Sequence, residues 1–228
     1  MKAIILAAGV GSRMGEITKD IPKCLIEINK KPILIKQIES LIENNIKDIS
    51  VVIGFKKEKV REVCKNHNIK FYEIAEFKEK GLLEGLYCAK EELNDDLILI
   101  YGDIYFEKEV VEKLISNESD FCMAIDDSRK DEPLPQKEKE TYYGVEINKG
   151  ATKVSIEKGV ITDISKKMEK ARIDGTYIGL IKIRQSIVDK IKNRIKDLIA
   201  SGEIKIYPSP SYFLKHLMKK GQKIYPVF

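Results

Sequence analysis

The sequence predicts an α/β protein with a mainly parallel central sheet covered on both faces, and three features predict it. Short apolar runs alternate with helix-period segments from the N-terminus through Ile125, the pattern of strands joined by crossover helices. The runs Lys2 to Leu6, Ile49 to Ile53 and Leu97 to Tyr101 are apolar at almost every position, as buried parallel strands are. From Tyr143 the chain changes to short two-period runs with glycines between them, which predicts a small antiparallel meander on one side of the sheet.

The first strand, Lys2 to Leu6, leads into Ala7-Ala8-Gly9-Val10-Gly11-Ser12-Arg13, a loop with little bulk before a single arginine. Such a loop lets backbone N–H groups line an anion as a nest. Pro22-Lys23 and a second strand-like run, Cys24 to Ile28, follow. Pro32 opens a helix through Asn45, with Ile33, Ile35, Ile38, Leu41 and Ile42 on one face. Next come the strand Ile49 to Ile53, a helix from Lys56 to Asn66, the strand Ile69 to Ile74 and a helix from Gly81 to Leu93. The strand Leu97 to Tyr101 ends in Gly102-Asp103-Ile104-Tyr105-Phe106, before a helix from Lys108 to Ser116 and a strand from Phe121 to Ile125. The stretch DDSRKDEPLPQKEKET, with Pro133, Pro135 and dense charge, is expected to be a mobile loop or lid. Tyr143 to Ile147, Lys153 to Ile156 and Val160 to Ile164 form the meander, with turns at Gly150 and Gly159. Thr176 to Ile183 is a further strand. Ser186 is expected to cap a long amphipathic helix to Ala200, with Asp189 three residues on. A last helix, Pro210 to Lys220, precedes a final strand, Lys223 to Phe228. No repeat or linker interrupts the pattern, so residues 1–228 are read as a single domain.

Composition removes several function classes. Hydrophobic residues are 43% and charged residues 34% of the chain, as in a globular protein. Lysines alternate with glutamates, as in KKEKVREVCK, and the net charge is only +5. That favours solvated helix faces over a nucleic-acid stripe, and a slightly basic chain suits anionic substrates. No apolar run is long enough to cross a bilayer, and the N-terminus has no signal-peptide pattern. The expectation is a cytoplasmic protein with neither a membrane nor a nucleic-acid partner, and with self-association open. Cys24, Cys64, Cys88 and Cys122 are widely spaced in apolar stretches and only two histidines occur. Reduced core thiols are therefore expected, without a zinc site or a disulfide framework.

A strand, a glycine-rich turn and a helix fit more than one chemistry. The dinucleotide fingerprint fails at its third glycine, where Met14 stands and Gly15 comes one residue late. The P-loop fails because Gly15 is followed by Glu16 rather than Lys. Leu6-Ala7-Ala8-Gly9-Val10-Gly11-Ser12-Arg13, with Pro22-Lys23 about ten residues on, instead resembles the nucleotidyltransferases that make nucleoside-diphosphate sugars and related activated alcohols. The resemblance implies a Rossmann-like three-layer nucleotidyltransferase fold, with the antiparallel meander on the acceptor side. Tyr101-Gly102-Asp103-Ile104-Tyr105-Phe106, preceded by Gly85-Leu86-Tyr87-Cys88-Ala89, is most similar to one branch. That branch is the cytidylyltransferases acting on phosphocholine, 2-aminoethylphosphonate or inositol 1-phosphate.

The resemblance also implies site roles. Leu6, Ala7, Ala8, Gly9, Gly11 and Ser12 would hold the nucleotide together with Gly81, Gly85 and Gly102, while Arg13 and Lys23 brace its phosphates. Asp103, at the carboxyl end of its strand, would be the Mg²⁺ ligand, since hard cations take carboxylate and phosphate oxygens together. Lys166, with Lys167 as its neighbour alternative, would face the acceptor phosphate. For Tyr105, Tyr177 and Asp126, contact with the acceptor's head group and packing in the core or rim are both open. The family's second metal aspartate follows the final strand, in a segment like aspartate-threonine-proline-glutamate, and no residue of this sequence fills that position. The second ligand is therefore expected from elsewhere, from a longer chain, or to be missing at a cost to catalysis. The implied reaction joins CTP to a small phosphorylated or phosphonylated acceptor and releases pyrophosphate. A sugar-1-phosphate uridylyl- or guanylyltransferase and a non-catalytic nucleotide-binding regulatory protein are the rivals, with a Rossmann oxidoreductase a distant third.

Overall fold

Strand β1 (Lys2–Ala7) lies between β4 (Ile49–Ile53) and β6 (Leu97–Tyr101), paired in parallel with both. These coordinates are a computed structural model, which describes residues 1–9, 19–75, 81–128, 139–142, 145–148, 151–206 and 210–228. On the far side of β4, β5 (Ile69–Glu73) continues the parallel half. Beyond β6 the pairing turns antiparallel through β12 (Gly175–Ile183), which also pairs with β7 (Phe121–Asp126) and β10 (Thr152–Glu157). β11 (Val160–Ser165) extends β10, and β13 (Tyr225–Val227) runs parallel to β7, completing a nine-stranded sheet. The two-period runs after residue 150 thus form the expected antiparallel addition.

Alternation along the strands builds two cores. Ala3, Ile5 and Ala7 of β1, with Ile98 and Ile100 of β6, face one side, while Ile4, Leu97 and Leu99 face the other. Helices α1 (Ile33–Glu43), α2 (Lys57–Val63) and α4 (Lys108–Ser116) cover the first face through Leu34, Ile38, Leu41, Val60, Val111 and Leu114. The second face is covered by α3 (Leu82–Cys88), α5 (Gln185–Ala200) and α6 (Pro210–Lys219). Both sheet faces are buried, as apolar parallel strands require.

Three local readings differ from the sequence expectation. Cys24 to Ile28 does not join the central sheet. Lys23–Leu25 is a 3₁₀ turn, and β2 (Glu27–Ile28) pairs only with β3 (Lys31–Pro32) in a small hairpin. Asn29 and Lys30 take left-handed backbone at φ 53° and 61°, which reverses the chain within two residues. Ser186 is not the cap of α5, because the helix begins at Gln185. Asp96 does that work from another element, accepting from the Gln185 N–H and the Arg184 Nη1, both at 2.9 Å. Of the run Tyr143 to Ile147, Val145 to Ile147 fall in a strand that stands apart from the central sheet, and Tyr143 and Gly144 lie outside the described residues. β8 (Lys139–Tyr142) and β9 (Val145–Asn148) form a separate two-stranded sheet, and most of the expected lid lies outside the described residues.

Burial raises the Cys24 thiol to about 12, with Cys64 beside it a further cause, and raises Cys64 to about 11. Cys122 is buried and raised likewise. Among the described residues no cysteine forms a disulfide.

Candidate active site

The strand order places a switch point beside β1. From β1 the chain steps outward to β4 and β5, then returns to the other side of β1 as β6. The crevice above the carboxyl ends of β1 and β6 is where open α/β sheets bind ligands. Ala7, Ala8 and Gly9 leave β1 here, and Gly102 and Asp103 leave β6.

Close backbone packing fixes these two ends. The Gly102 N–H donates to the Leu6 carbonyl at 2.9 Å, and the Phe55 N–H donates to the Ala8 carbonyl at 3.2 Å. A methyl group on Gly102 would sit 2.9 Å from the Ala7 Cβ and 2.9 Å from the Leu6 oxygen, so only glycine fits between the strands. At Gly9 an added carbon would meet nothing within 4 Å among the described residues. Gly179 of β12 holds φ at +94°, with its Cβ position 3.0 Å from the rings and methyls of Tyr101 and Ile104. Gly179 lies within the stretch, Tyr177 to Ile181, where the register of β12 against β7 shifts.

Two side chains named from the sequence meet at this point. Lys23 Nζ lies 3.3 Å from Asp103 Oδ2, although 80 residues separate them. Lys23 is carried by the 3₁₀ turn whose next residues, Cys24 and Leu25, are buried, so the core anchors its backbone while the ammonium points out. Asp103 keeps 44% of its side chain exposed. The loop that carries it is braced by Gln37 of α1, a residue the sequence reading passed over. The Gln37 amide is only 1% exposed and donates to the carbonyls of Tyr101 (2.9 Å) and Ile104 (2.7 Å), straddling Asp103. Its signal is in the sequence: Gln37 and Ser40 are the two polar residues on the buried, otherwise apolar face of α1.

The other named residues divide. Gly11, Ser12 and Arg13 lie outside the described residues. Gly81 caps α3, its N–H donating to the Glu84 carboxylate. Gly85 is buried, with its Cβ position 3.9 Å from Val52 Cγ1, an ordinary contact distance. Tyr105 is exposed at the rim, hydrogen-bonded to Glu107 and with Lys36 Nζ 5.3 Å from its ring centroid. Tyr177 packs edge-on against Tyr101, with ring centroids 5.7 Å apart, and its hydroxyl is buried. Burial pushes both phenols well up, so neither ionises at neutral pH. Asp126 accepts from the Ser128 N–H at 2.9 Å and from its hydroxyl at 2.5 Å. Lys166 and Lys167 stand just past the end of β11.

The donor set accommodates one kind of metal. No group of three or more His, Cys, Asp or Glu side chains gathers among the described residues, so an all-protein cage is not available there. An exposed carboxylate at the carboxyl end of a parallel strand suits a hard cation that draws its remaining ligands from a bound phosphate and water.

The glycine contacts yield a paired prediction. Gly102→Ala should destabilise the protein by about 1–3 kcal/mol, since overpacking here presses on backbone. Gly85→Ala should hold or raise stability by up to about 1 kcal/mol, because alanine is the better helix former. Thermal unfolding of both variants checks this, and CTP titration of the second tests whether Gly85 approaches the nucleotide.

Residues 3–154 match the model of the MobA-like NTP transferase domain. The CTP:phosphoglutamine cytidylyltransferase of Campylobacter jejuni is 29% identical over 204 residues, covering 84% of this chain and 76% of that protein. The bifunctional protein GlmU of Methanococcus maripaludis is 32% identical over 224 residues, which are 97% of this chain. The chain spans about half the length of that relative, 48%. The solved CTP:phosphocholine cytidylyltransferase of Streptococcus pneumoniae has the same fold, with a TM-score of 0.70 at 22% identity over 99% of this chain and 88% of that one. No described helix is long and apolar enough to cross a membrane.

Proposed function

Because the chain belongs to the MobA-like NTP transferase family, we propose that it couples CTP to a small phosphorylated or phosphonylated alcohol or amine and releases pyrophosphate. The observation that carries this reading is the Lys23–Asp103 pair at the switch point, where Ala7, Ala8 and Gly9 leave β1. The cytidylyltransferases among its relatives support it, and both act on phosphorylated compounds by name.

In this mechanism the Gly9 loop receives the triphosphate through backbone N–H groups. Lys23, already held in the crevice by Asp103, offers a fixed positive charge to the phosphates, and Arg13 has the same assignment. Asp103 would hold Mg²⁺, which would neutralise phosphate charge when bound. An acceptor phosphate or phosphonate oxygen attacks the α-phosphorus in line, and the bond to the pyrophosphate oxygen breaks. An ionised phosphate is already nucleophilic, so no side chain need remove a proton. The work is positioning and charge stabilisation.

Incubating the protein with CTP, Mg²⁺ and an acceptor panel of phosphocholine, 2-aminoethylphosphonate, inositol 1-phosphate and hexose 1-phosphates, with pyrophosphate as the readout, tests the reading. Arg13→Ala should lower turnover by about two or more orders of magnitude and leave the circular dichroism spectrum unchanged. Near-normal turnover would remove Arg13 from the mechanism. A second reading, uridylyl or guanylyl transfer to a sugar 1-phosphate, draws on the match to GlmU across nearly the whole chain. Competition among CTP, UTP and GTP separates the two.

A further inference from the structure

We infer that Gln37 is the positioning residue for Asp103: its buried amide fixes the backbone on both sides of the carboxylate, and so sets how tightly a divalent cation is held beside Lys23. This rests on the nucleotidyl-transfer reading above, in which Asp103 is the metal ligand.

Asp103 keeps 44% of its side chain in solvent, so packing does little to fix it. Its place is set by the backbone that carries it. The Gln37 Nε2 holds that backbone at two carbonyls, Tyr101 at 2.9 Å and Ile104 at 2.7 Å. Tyr101 is the last residue of β6, and Ile104 lies beyond the strand's end. Two acceptors at one atom also settle which way the amide faces, because only its nitrogen can donate. The oxygen is left buried, with no hydrogen-bond partner among the described residues. An unpaired buried polar atom opposes folding, and a methionine or leucine at this position would avoid it. The glutamine is explained by what its nitrogen does, and both bonds of that nitrogen go to the segment around Asp103.

The same helix reaches the other half of the ion pair. At its start the Ile33 N–H donates to the Ile26 carbonyl at 2.9 Å, directly after the 3₁₀ turn that bears Lys23. At its end Asn44 Nδ2 donates to the Lys108 carbonyl at 3.1 Å, where α4 begins. Helix α1 thus links the turn of Lys23 to the segment of Asp103, and Gln37 stands one turn in from its start. Groups that hold a metal ligand in place are worth about 10–100-fold in metal affinity.

The test reads metal binding without turnover. Calorimetry of CTP in EDTA and again in excess Mg²⁺ gives two affinities, and their ratio is the coupling between nucleotide and metal. In the parent the ratio should be about tenfold or more, and Asp103→Asn should bring it to about twofold or less. Gln37→Met keeps the length of the side chain and removes both donors. It should reduce the ratio to about threefold or less, with CTP affinity in EDTA within about twofold of the parent. Asn44→Ala, which releases the far end of the same segment, should keep the parent ratio. If thermal melting shows that Gln37→Met does not fold, Gln37→Asn, one methylene shorter, takes its place with the same expectation. An Asp103-dependent ratio that the Gln37 variant leaves intact would overturn the inference alone, as would an equal fall in Asn44→Ala. A ratio that Asp103→Asn does not change strikes the metal assignment, and the role of Gln37 falls with it. Absence of pyrophosphate release with the Gln37 effect intact strikes the nucleotidyl-transfer reading and not the role of Gln37.

Discussion

Replacing Asp103 with asparagine should lower pyrophosphate release from CTP by about 10²–10³-fold and leave the protein folded. Asparagine keeps the shape of the side chain but cannot carry the negative charge that the proposed metal and Lys23 both require. The fold should not register the change, because 44% of the Asp103 side chain is exposed and its ion pair with Lys23 is at 3.3 Å. An exposed pair of this kind contributes about 1 kcal/mol or less. The midpoint of thermal unfolding should therefore fall by no more than about 4 °C. A double-mutant cycle separates two accounts of the pair. If Lys23 and Asp103 merely hold each other, Lys23→Met should cost little further once Asp103 is already changed. If each acts on the substrate, the double variant should be slower than either single one. Turnover of Asp103→Asn within threefold of the parent would remove the carboxylate from the chemistry.

That pair also marks how far residues lead without coordinates. Lys23 and Asp103 were legible because each stands beside a feature with few alternatives. One follows a proline ten residues after a glycine loop, and the other ends an apolar five-residue run. The strands of the parallel half were legible for a related reason: burial on both faces leaves a continuous apolar signature. Cys24 to Ile28 carries nearly the same signature and is not a sheet strand. Cys24 and Leu25 are buried as a plug beneath the site, and Asn29 and Lys30 turn the chain before a ladder can grow. The cap of α5 was hidden because Asp96 comes from the start of β6, the strand paired beside the end of β12, and no local pattern reports a partner 89 positions away. Local signals name strands and loop residues. The partners that constrain them are set by topology.

Glu92→Ala should destabilise the protein by about 3 kcal/mol, lowering the thermal midpoint by about 6–12 °C, with little change in activity below the transition. Glu92 belongs to a 3₁₀ turn after α3 and keeps only 7% of its side chain exposed. It accepts from Lys2 Nζ at 2.7 Å and from the Tyr72 hydroxyl at 2.7 Å, with Lys70 Nζ at 3.1 Å. Asp48 lies 3.6 Å from Lys2 and 2.9 Å from Lys70. One carboxylate thus ties β1 and β5 together at the end of the sheet opposite the crevice, which is why stability and turnover should separate. Burial alone would raise the Glu92 carboxyl, but the hydrogen bonds from Lys2, Tyr72 and Lys70 outweigh it and lower it from 4.5 to about 2. A carboxyl depressed on folding stabilises the native state at pH values above its unfolded value and loses that contribution as pH falls through its folded one. The difference in stability between the parent and Glu92→Ala should therefore be complete above about pH 5 and shrink steadily from there toward pH 2. Glu92→Gln, which can still accept from Tyr72 but cannot balance Lys2 and Lys70, should fall between the two. Denaturant unfolding of the three proteins at pH 7, 4 and 3 measures the trend. A gap that stays constant across that range would mean the carboxylate acts through packing alone.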